Sequence, residues 1–550
     1  MSLEPVTAEE AAWNNIDGEE DDVVTELPRP KMKAPAGSLN VSKAVETATS
    51  GAAAGQLSTR RRWGSTVGSF FSGQLSSRLT GGQVSARPAG GASSANPVVS
   101  MKQAVETLNS TTFKEAAEVV TAAKVLLSFC TDHKKIAEAC KAGALEAVSE
   151  ALKHQMATRD VVFVILPSLI NLSSGDDEPG LKRVATLIQS GIIETLAGVL
   201  RSHPNDAAMA IRAVWALQHV CRRGTAGTNP WLTRVITSGI LALVCRMHEA
   251  FPEYKALHTR VFFLVSSICY HLTHTGVQAG MASSATLDKT AARLSVVPAI
   301  AAALNTASPS VVRDSEEVHE AAALALGDAC ASPEIVALAI NSGVVEGLVG
   351  AMEAQPNAGA LQENGCWAIR QICDRAEPAG RERVASSGAP RAVIHALLAV
   401  QWPRFTRLAG LREKGCRALL ALCGPNPEET ETGPAVELRV QLAELGAIEA
   451  ACVALTAHPA EAGVVAYACD LIFAVCSGSD PANARKMQAA DADAVPAIIE
   501  ALKKAKGKKH AEEAIEAAYN ALDLITTANP AVLELAVQLG YTPPAGSLEA

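Results

Sequence analysis

The stretch QSGIIETLAGVL, residues 189–200, decides the fold of this 550-residue chain. After Gly191 its apolar residues recur three and four positions apart, which is the spacing of one face of an α-helix. The glycine predicts a sharp corner before that helix, because glycine adopts positive φ angles at little cost. The same phrase recurs as KAGALEAVSEAL at 141–152, TSGILALVCRMH at 237–248, NSGVVEGLVGAM at 341–352, SSGAPRAVIHAL at 386–397 and ELGAIEAACVAL at 444–455.

Further copies of the phrase fix a repeat period. Two degenerate copies lie at 294–304 and 492–502, and a last start, QLGYTPP, lies at 538–544. The anchor positions are 45 to 58 residues apart. Such a period predicts a helical solenoid, in which each unit has a short first helix, a middle helix and a longer third helix. The two longest steps contain inserts at 276–290 and 424–434, which can be flexible spacers or functional loops.

The composition agrees with an all-α chain and excludes several classes. Hydrophobic residues make up 48% and aromatic residues only 4%, which favours close-packed helices over β-sandwiches. The net charge of −9 disfavours a nucleic-acid binder. No window approaches 18 uninterrupted apolar residues, so we expect no integral membrane span. The first residues carry no secretory signal pattern, and we therefore expect a cytoplasmic protein.

The chain divides into three parts. Residues 1–97 are predicted to be a disordered tail, because nine acidic residues are followed by a basic stretch rich in Gly, Ser, Ala and Pro. Residues 98–541 are predicted to form eight to nine solenoid units, and 542–550 a short C-terminal tail. Within the first tail, Arg60–Arg62 can belong to a docking or phosphorylation segment or to a solvated linker.

Cysteine recurs near the end of the third helices, which is an independent sign of the repeat. Thirteen cysteines without a CxxC pair or a signal peptide predict free thiols rather than disulfides or a zinc site. A small apolar residue between stacked units explains this periodicity better than a metal or redox site. The recurring residues are Cys130, Cys221, Cys269, Cys330, Cys373, Cys423 and Cys476, with Ser173 and Thr526 in the other two units.

The sequence contains none of the common catalytic motifs. There is no GxGxxG, GxxxxGK[ST], HExxH or GxSxG, and His271 and His274 have no further ligand residues nearby. We therefore expect neither an enzyme nor a protein that holds a cofactor or metal.

The repeated phrase and the third helices AIRAVWALQHVC at 210–221 and ENGCWAIRQIC at 363–373 resemble the armadillo repeat. The resemblance covers 98–541 and implies a right-handed α-solenoid that binds other proteins. The steps are longer than the usual forty-odd residues, which leaves HEAT-like repeats as an alternative.

The resemblance also implies a binding groove. Third helices of peptide-binding armadillo proteins carry a Trp and, one turn later, an Asn that bonds the peptide backbone. Here the pairs are chemically mixed, and no run of consecutive Trp–Asn pairs exists. Since two residues are about 200° around a helix, a buried Cys221 would turn His219 and Trp215 outward. The candidate partner-binding residues are Asn171, Arg212, Trp215, His219, Phe263, Ser267, Trp367, Arg370 and Gln371.

Three functions are open from the sequence. The leading hypothesis is a non-enzymatic scaffold or adaptor that binds extended or helical partner segments on a concave surface. The alternative is a structural subunit of a large assembly such as the ciliary axoneme, located at the cilium or cytoskeleton. A nuclear-import adaptor is the weakest hypothesis, because the Trp–Asn array is broken and Arg60–Arg62 is a short basic segment.

Overall fold

The computed structural model describes residues 100–543 apart from 111–114, 176, 223–229, 275–292, 306–313, 400–407, 425–433, 479, 481–482, 506–510 and 528. The described residues contain 26 α-helices and no β-strand. The predicted tails, the insert at 276–290 and nearly all of the insert at 424–434 lie outside these residues. The predicted domain boundaries therefore stay predictions.

The helices follow the predicted three-helix repeat. Before the first complete unit come α1 (Met101–Asn109) and α2 (Ala116–Cys130). Unit 1 comprises α3 (His133–Lys141), α4 (Ala144–Gln155) and α5 (Arg159–Leu172), and unit 2 comprises α6 (Glu178–Gln189), α7 (Ile192–Ser202) and α8 (Ala207–Val220). Unit 3 comprises α9 (Pro230–Ser238), α10 (Ile240–Ala250) and α11 (Lys255–His274), and unit 4 comprises α12 (Val297–Leu304) and α13 (Glu316–Ala329).

The second half continues in the same order. Unit 5 comprises α14 (Pro333–Asn341), α15 (Val344–Ala354) and α16 (Gly359–Cys373), and unit 6 comprises α17 (Pro378–Ser386), α18 (Ala389–Leu398) and α19 (Leu408–Cys423). Unit 7 comprises α20 (Pro434–Glu444), α21 (Ala447–Ala457) and α22 (Ala462–Cys476). Unit 8 comprises α23 (Ala484–Asp491), α24 (Ala494–Ala505) and α25 (Glu512–Thr526), and α26 (Pro530–Gln538) follows it. In unit 4 the described helices correspond to the second and third helices of the other units.

The predicted corner between first and second helices is confirmed. The chain turns by 65° between α6 and α7, by 66° between α14 and α15 and by 63° between α20 and α21. The residue at each of these corners is a glycine with positive φ: Gly191 at 83°, Gly343 at 75° and Gly446 at 93°. In unit 8, Asp493 adopts the same conformation with φ 60°. The anchor glycines are thus the left-handed residues that reverse the chain.

The third helices form the centre of the molecule. Each one packs against the third helices of the neighbouring units, from α2 through α25. Because of this packing, the cysteines at their ends are buried, with Cys221 and Cys373 both 0% exposed. The prediction that these cysteines are core residues is confirmed. All thirteen are free thiols, and only Cys140 is partly exposed.

Arginines of the following unit satisfy carbonyls near the ends of several third helices. Arg183 Nε donates to Leu172 O at 2.8 Å, and Arg293 Nη2 donates to Cys269 O at 3.2 Å. Such donors replace water at helix ends that the next unit covers. On its own, none of the described helices combines the length and the apolar character that a membrane span requires.

Candidate partner-binding surface

Several third helices present partly exposed aromatic rings, and we call five of these rings, one from each of five helices, the aromatic row. Every third helix has two buried sides, because it is flanked by other third helices, and the partly exposed side is what remains between them. The rings on that side therefore stay in reach of solvent and of a partner. The row consists of Phe163 on α5, Trp215 on α8, Phe263 on α11, Trp367 on α16 and Tyr467 on α22.

Cationic side chains stack on the rings of the aromatic row. The Arg212 guanidinium lies 3.4 Å from the centroid of Phe163, and that of Arg260 lies 3.6 Å from the Trp215 ring. In both stacks the cation belongs to the unit that follows the ring. Each such contact contributes about 0.5–2 kcal/mol and joins two units.

In the second half of the row the cations lie farther from the rings and come from the same, the following or the preceding unit. Arg370 lies 5.5 Å and Lys414 lies 6.0 Å from the Trp367 ring, while Arg417 lies 4.3 Å from the ring of Tyr467. These cations are also ion-paired: Arg370 with Asp374 at 3.1 Å, Lys414 with Glu363 at 2.9 Å and Arg417 with Glu413 at 3.2 Å. The surface around Trp367 is therefore aromatic with nearly balanced charge.

A side-chain hydrogen bond fixes the orientation of Trp215. Its indole Nε1 donates to Nε2 of His219 at 3.0 Å. His219 is 0% exposed, and burial together with Arg222 and Arg260 lowers the pKa of His219 far below its usual value. The imidazole is therefore neutral and accepts the indole hydrogen.

A glycine of the preceding unit makes room for Trp367. A Cβ at Gly327 on α13 would lie 2.4 Å from Cδ1 of the Trp367 ring. Any other residue at that position would push the indole away from α13. The ring position thus depends on a missing side chain in the neighbouring unit.

The expectation that His219 faces outward is wrong. The helical angle between Cys221 and His219 was correct, but it describes one isolated helix. The packing of neighbouring third helices covers the side on which His219 lies, and such a seam also buries the matching residue of other units. These residues, two positions before the repeat cysteine or its substitute, are Asn171 and His219 at 0%, Ser267 at 6% and Gln371 at 8% exposure.

The buried residues of the seam bond to their own structure. Ser267 Oγ donates to the carbonyl of Cys221 in the preceding unit at 2.8 Å. Gln371 Oε1 accepts from Arg375 Nη1 at 2.5 Å. The sequence predicted a partner-binding role for these positions, but in this conformation their side chains are not accessible to a partner.

The two candidate arginines occupy different environments. Arg212 is 4% exposed and donates through Nη1 to the carbonyl of Phe163 at 2.6 Å, and burial lowers the pKa of its guanidinium to about 10. Arg370 is partly exposed, and burial also lowers its pKa. Arg212 therefore links two units, whereas Arg370 remains accessible to a partner.

An acidic pocket of about 240 Å³ lies between α22 and α25. Tyr467 and Asp470 form one wall, and Glu513 and Glu516 form the other. Burial, together with the charges of Glu516 and Glu513, raises the pKa of Asp470 to about 6. The row thus ends beside a negatively charged pocket.

Sequence reasoning missed several residues of this surface. Phe163, Arg260, Lys414 and Tyr467 take part in it, yet none lies at the Trp or Asn position of the armadillo pattern. A usable signal was present for Arg260, which is three residues before Phe263 and therefore shares its helical face. The cross-unit partner of each cation could not be identified without the packing of the third helices.

The described residues contain no group of three or more His, Cys, Asp or Glu side chains that could hold a metal ion. Stacked three-helix units with neighbour-only packing define an all-helical repeat protein, an α-solenoid. The chain is similar to the crystal structure of an engineered protein, with a TM-score of 0.60 and 17% identity over 80% of this chain and 92% of the other. That likeness concerns the fold alone. No protein-family model and no curated protein matches the sequence.

Proposed function

We propose that this chain is an armadillo-type interaction scaffold without catalytic activity, and that it binds segments of partner proteins along the aromatic row. The observation that carries the proposal is the partial exposure of these five aromatic rings on the third helices. Aromatic and arginine side chains dominate the binding energy of protein interfaces. A solenoid presents such residues on an extended concave surface that accommodates a partner segment over several units.

The stacked cations shape how a partner would meet these rings. Arg260 covers one face of Trp215, so the exposed part of that ring is what an apolar partner side chain can contact. Around Trp367, Arg370 and Lys414 sit farther from the ring, so that no cation is stacked closely on its face. We infer that Trp367 is the stronger anchor and that Arg370 and Lys414 bond polar groups beside it.

The test compares the proteins captured by the intact chain with those captured by Trp215→Ala/Trp367→Ala. We expect the captured partners to fall at least tenfold, because hot-spot truncations cost about 2 kcal/mol or more. Tyr254→Ala is the matched control, since Tyr254 is 41% exposed and lies in the turn between α10 and α11, away from the aromatic row. Circular dichroism establishes that all three proteins are folded. Equal capture by the double variant and the control would refute binding along the row.

A structural role in a large assembly is the second candidate. Exposed apolar residues on the first helices or directly after them favour it, because they offer a contact surface away from the third helices. These residues are Val440 at 39%, Leu445 at 42%, and Leu535 and Val537 at 43% exposure. If the double variant and the intact chain recover the same stoichiometric assembly, and if Val440→Glu/Leu445→Glu releases it, the structural role replaces the scaffold proposal. A cytoplasmic or ciliary location goes with either role.

A nuclear-import adaptor has less support. It requires polar side chains that bond a peptide backbone one turn after the aromatic residues. At those places His219 and Ser267 are buried in the seam between third helices. We therefore expect no specific binding of basic peptides.

A further inference from the structure

Two buried imidazoles meet at the joint between α10 and α11, the second and third helices of unit 3. His248 lies near the end of α10, and His258 lies near the start of α11. Their exposures are 6% and 1%, and their ring centroids are 4.4 Å apart at an interplanar angle of 82°. The two Nδ1 atoms are in hydrogen-bonding contact with each other. The Phe262 ring packs against His248 with centroids 5.0 Å apart.

The contacts of this histidine pair fix where its protons are. Nε2 of His258 is 3.0 Å from the carbonyl oxygen of Pro252 and must donate its hydrogen there. Nδ1 of neutral His258 is therefore an acceptor. Consequently Nδ1 of His248 carries the hydrogen that lies between the rings. His248 also faces the carbonyl of Ala299 on α12, which raises its pKa as a hydrogen-bond acceptor.

The same geometry limits how many protons the closed joint can hold. Two neutral imidazoles carry two ring hydrogens, and two imidazolium rings carry four. Four hydrogens would place N–H against N–H between the rings, which removes their hydrogen bond and adds charge repulsion in a buried site. The closed joint therefore cannot hold the fully protonated pair, whereas an open, hydrated joint can.

The surroundings of the pair give little support to positive charge. Burial is the main cause that lowers the pKa of both rings, and burial together with His258 lowers the pKa of His248 to about 3. Glu253, in the turn between α10 and α11, acts on His258 in the opposite direction, as does the carbonyl of Pro252. Among the described residues, the group from α12 that acts on the pair is the Ala299 carbonyl.

We propose that the histidine pair is an acid-sensitive latch, which lets α10 separate from the start of α11 within unit 3 when the pH falls below about 6.5. Opening takes up two protons, because the closed pair is neutral and the open pair is fully protonated. By thermodynamic linkage, the closed state becomes less stable as the pH falls below the open-state pKa of the histidines, because they are harder to protonate in the closed state.

The test is hydrogen exchange measured by mass spectrometry on the full chain between pH 7.5 and 5.0, corrected for the intrinsic pH dependence of exchange. For peptides from α10, the first half of α11 and α12, we expect the opening constant to rise up to about 100-fold per pH unit below pH 6.5. Peptides around the single buried His219 should change by at most about tenfold per unit, since one proton is taken up there.

Variants distinguish the latch from general acid sensitivity. His258→Gln removes one titrating ring and keeps a donor for the Pro252 carbonyl, as Gln362 does naturally when it donates to Met352 O at 2.8 Å. We expect the opening constant of this variant to rise at most about tenfold per pH unit, and that of His248→Gln/His258→Gln to stay constant. His319→Gln replaces another buried histidine, which has no second imidazole beside it, and should open like the intact chain.

Three results would overturn the latch. One is an opening constant for these peptides that does not change with pH in the intact chain. Another is an unchanged pH dependence in His258→Gln, which keeps the proposal testable even if the double variant does not fold. The third is a loss of the pH dependence in His319→Gln. In each of these results, the proton uptake would not belong to the pair.

Discussion

The bond between Trp215 and His219 shows how much one side chain can determine on this surface. The indole is half-exposed, but its Nε1 satisfies an imidazole that is completely buried. Among the described residues, Nδ1 of His219 has no hydrogen-bond partner. The hydrogen bond from the Trp215 indole is therefore the one that satisfies the buried His219 ring.

We expect Trp215→Phe to lower the free energy of unfolding by about 1–3 kcal/mol, because it leaves buried His219 without its donor. The aromatic face under Arg260 is retained in this variant. Trp367→Phe is the matched control, since Nε1 of Trp367 bonds to no group in the described part of the chain. Urea denaturation of both variants checks the prediction. Equal losses would mean that the indole hydrogen bond contributes nothing.

At the residue scale, the sequence predicted which cysteines belong to the core better than it predicted which side chains are exposed. The repeat cysteines were correctly assigned to the core, because their periodicity is independent of any neighbour. The outward direction of His219 was wrong, because the exposure of a third helix depends on the helices beside it. Helical spacing describes one helix and contains no information on which of its sides a neighbour covers.

At the scale of the helix, the corner glycines separate a conformational requirement from a packing requirement. Gly343 has φ 75°, and a Cβ added there would meet no atom within 4 Å. Gly327 has the opposite character, since its Cβ would overlap Trp367. The first position needs a backbone angle, and the second needs empty space.

We therefore expect Gly343→Ala to cost about 1–2 kcal/mol of unfolding free energy, which is the penalty of the left-handed conformation alone. Gly343→Asn should cost less, since Asn tolerates this conformation and Asn483 adopts it here with φ 52°. Thermal and urea denaturation of the two variants measure the difference. An alanine variant as stable as the intact chain would show that the corner can form with negative φ.

The helices themselves were largely predictable. The recurring phrase marked the corner and the start of each second helix, and the structure places a left-handed residue at the predicted positions Gly143, Gly191, Gly239, Gly388 and Gly446. The prediction was weaker where the phrase is degenerate. At Ser295 in unit 4 no glycine marks the corner, and the preceding residues 275–292 lie outside the described chain.

At the scale of the whole molecule, the packing of the third helices predicts how the thirteen thiols behave together. Twelve are buried, and burial raises the pKa of thiols such as Cys330 and Cys366 to about 12. A thiolate is the reactive form, so these groups should react slowly in the folded protein.

We expect a thiol reagent at pH 8 to modify one cysteine per folded chain, Cys140, and the others only upon unfolding. Burial raises the pKa of Cys140 as well, but Arg183 opposes that rise. The Cys140→Ala variant should lose the early reaction, and peptide mapping identifies the modified residue. Early modification of Cys221 or Cys373 would contradict the assignment of the repeat cysteines to the core.

The strongly packed helix pairs lie within one unit or between adjacent units. A stack of this kind behaves mechanically like springs in series, in which the compliance of every joint adds to the total. A small rotation at each joint therefore sums to a large displacement between α1 and α26, while no single unit deforms much. Under tension the molecule would lengthen elastically before any unit loses its helices, and a partner bound across several units would feel that stretch as a change in the spacing of its anchors.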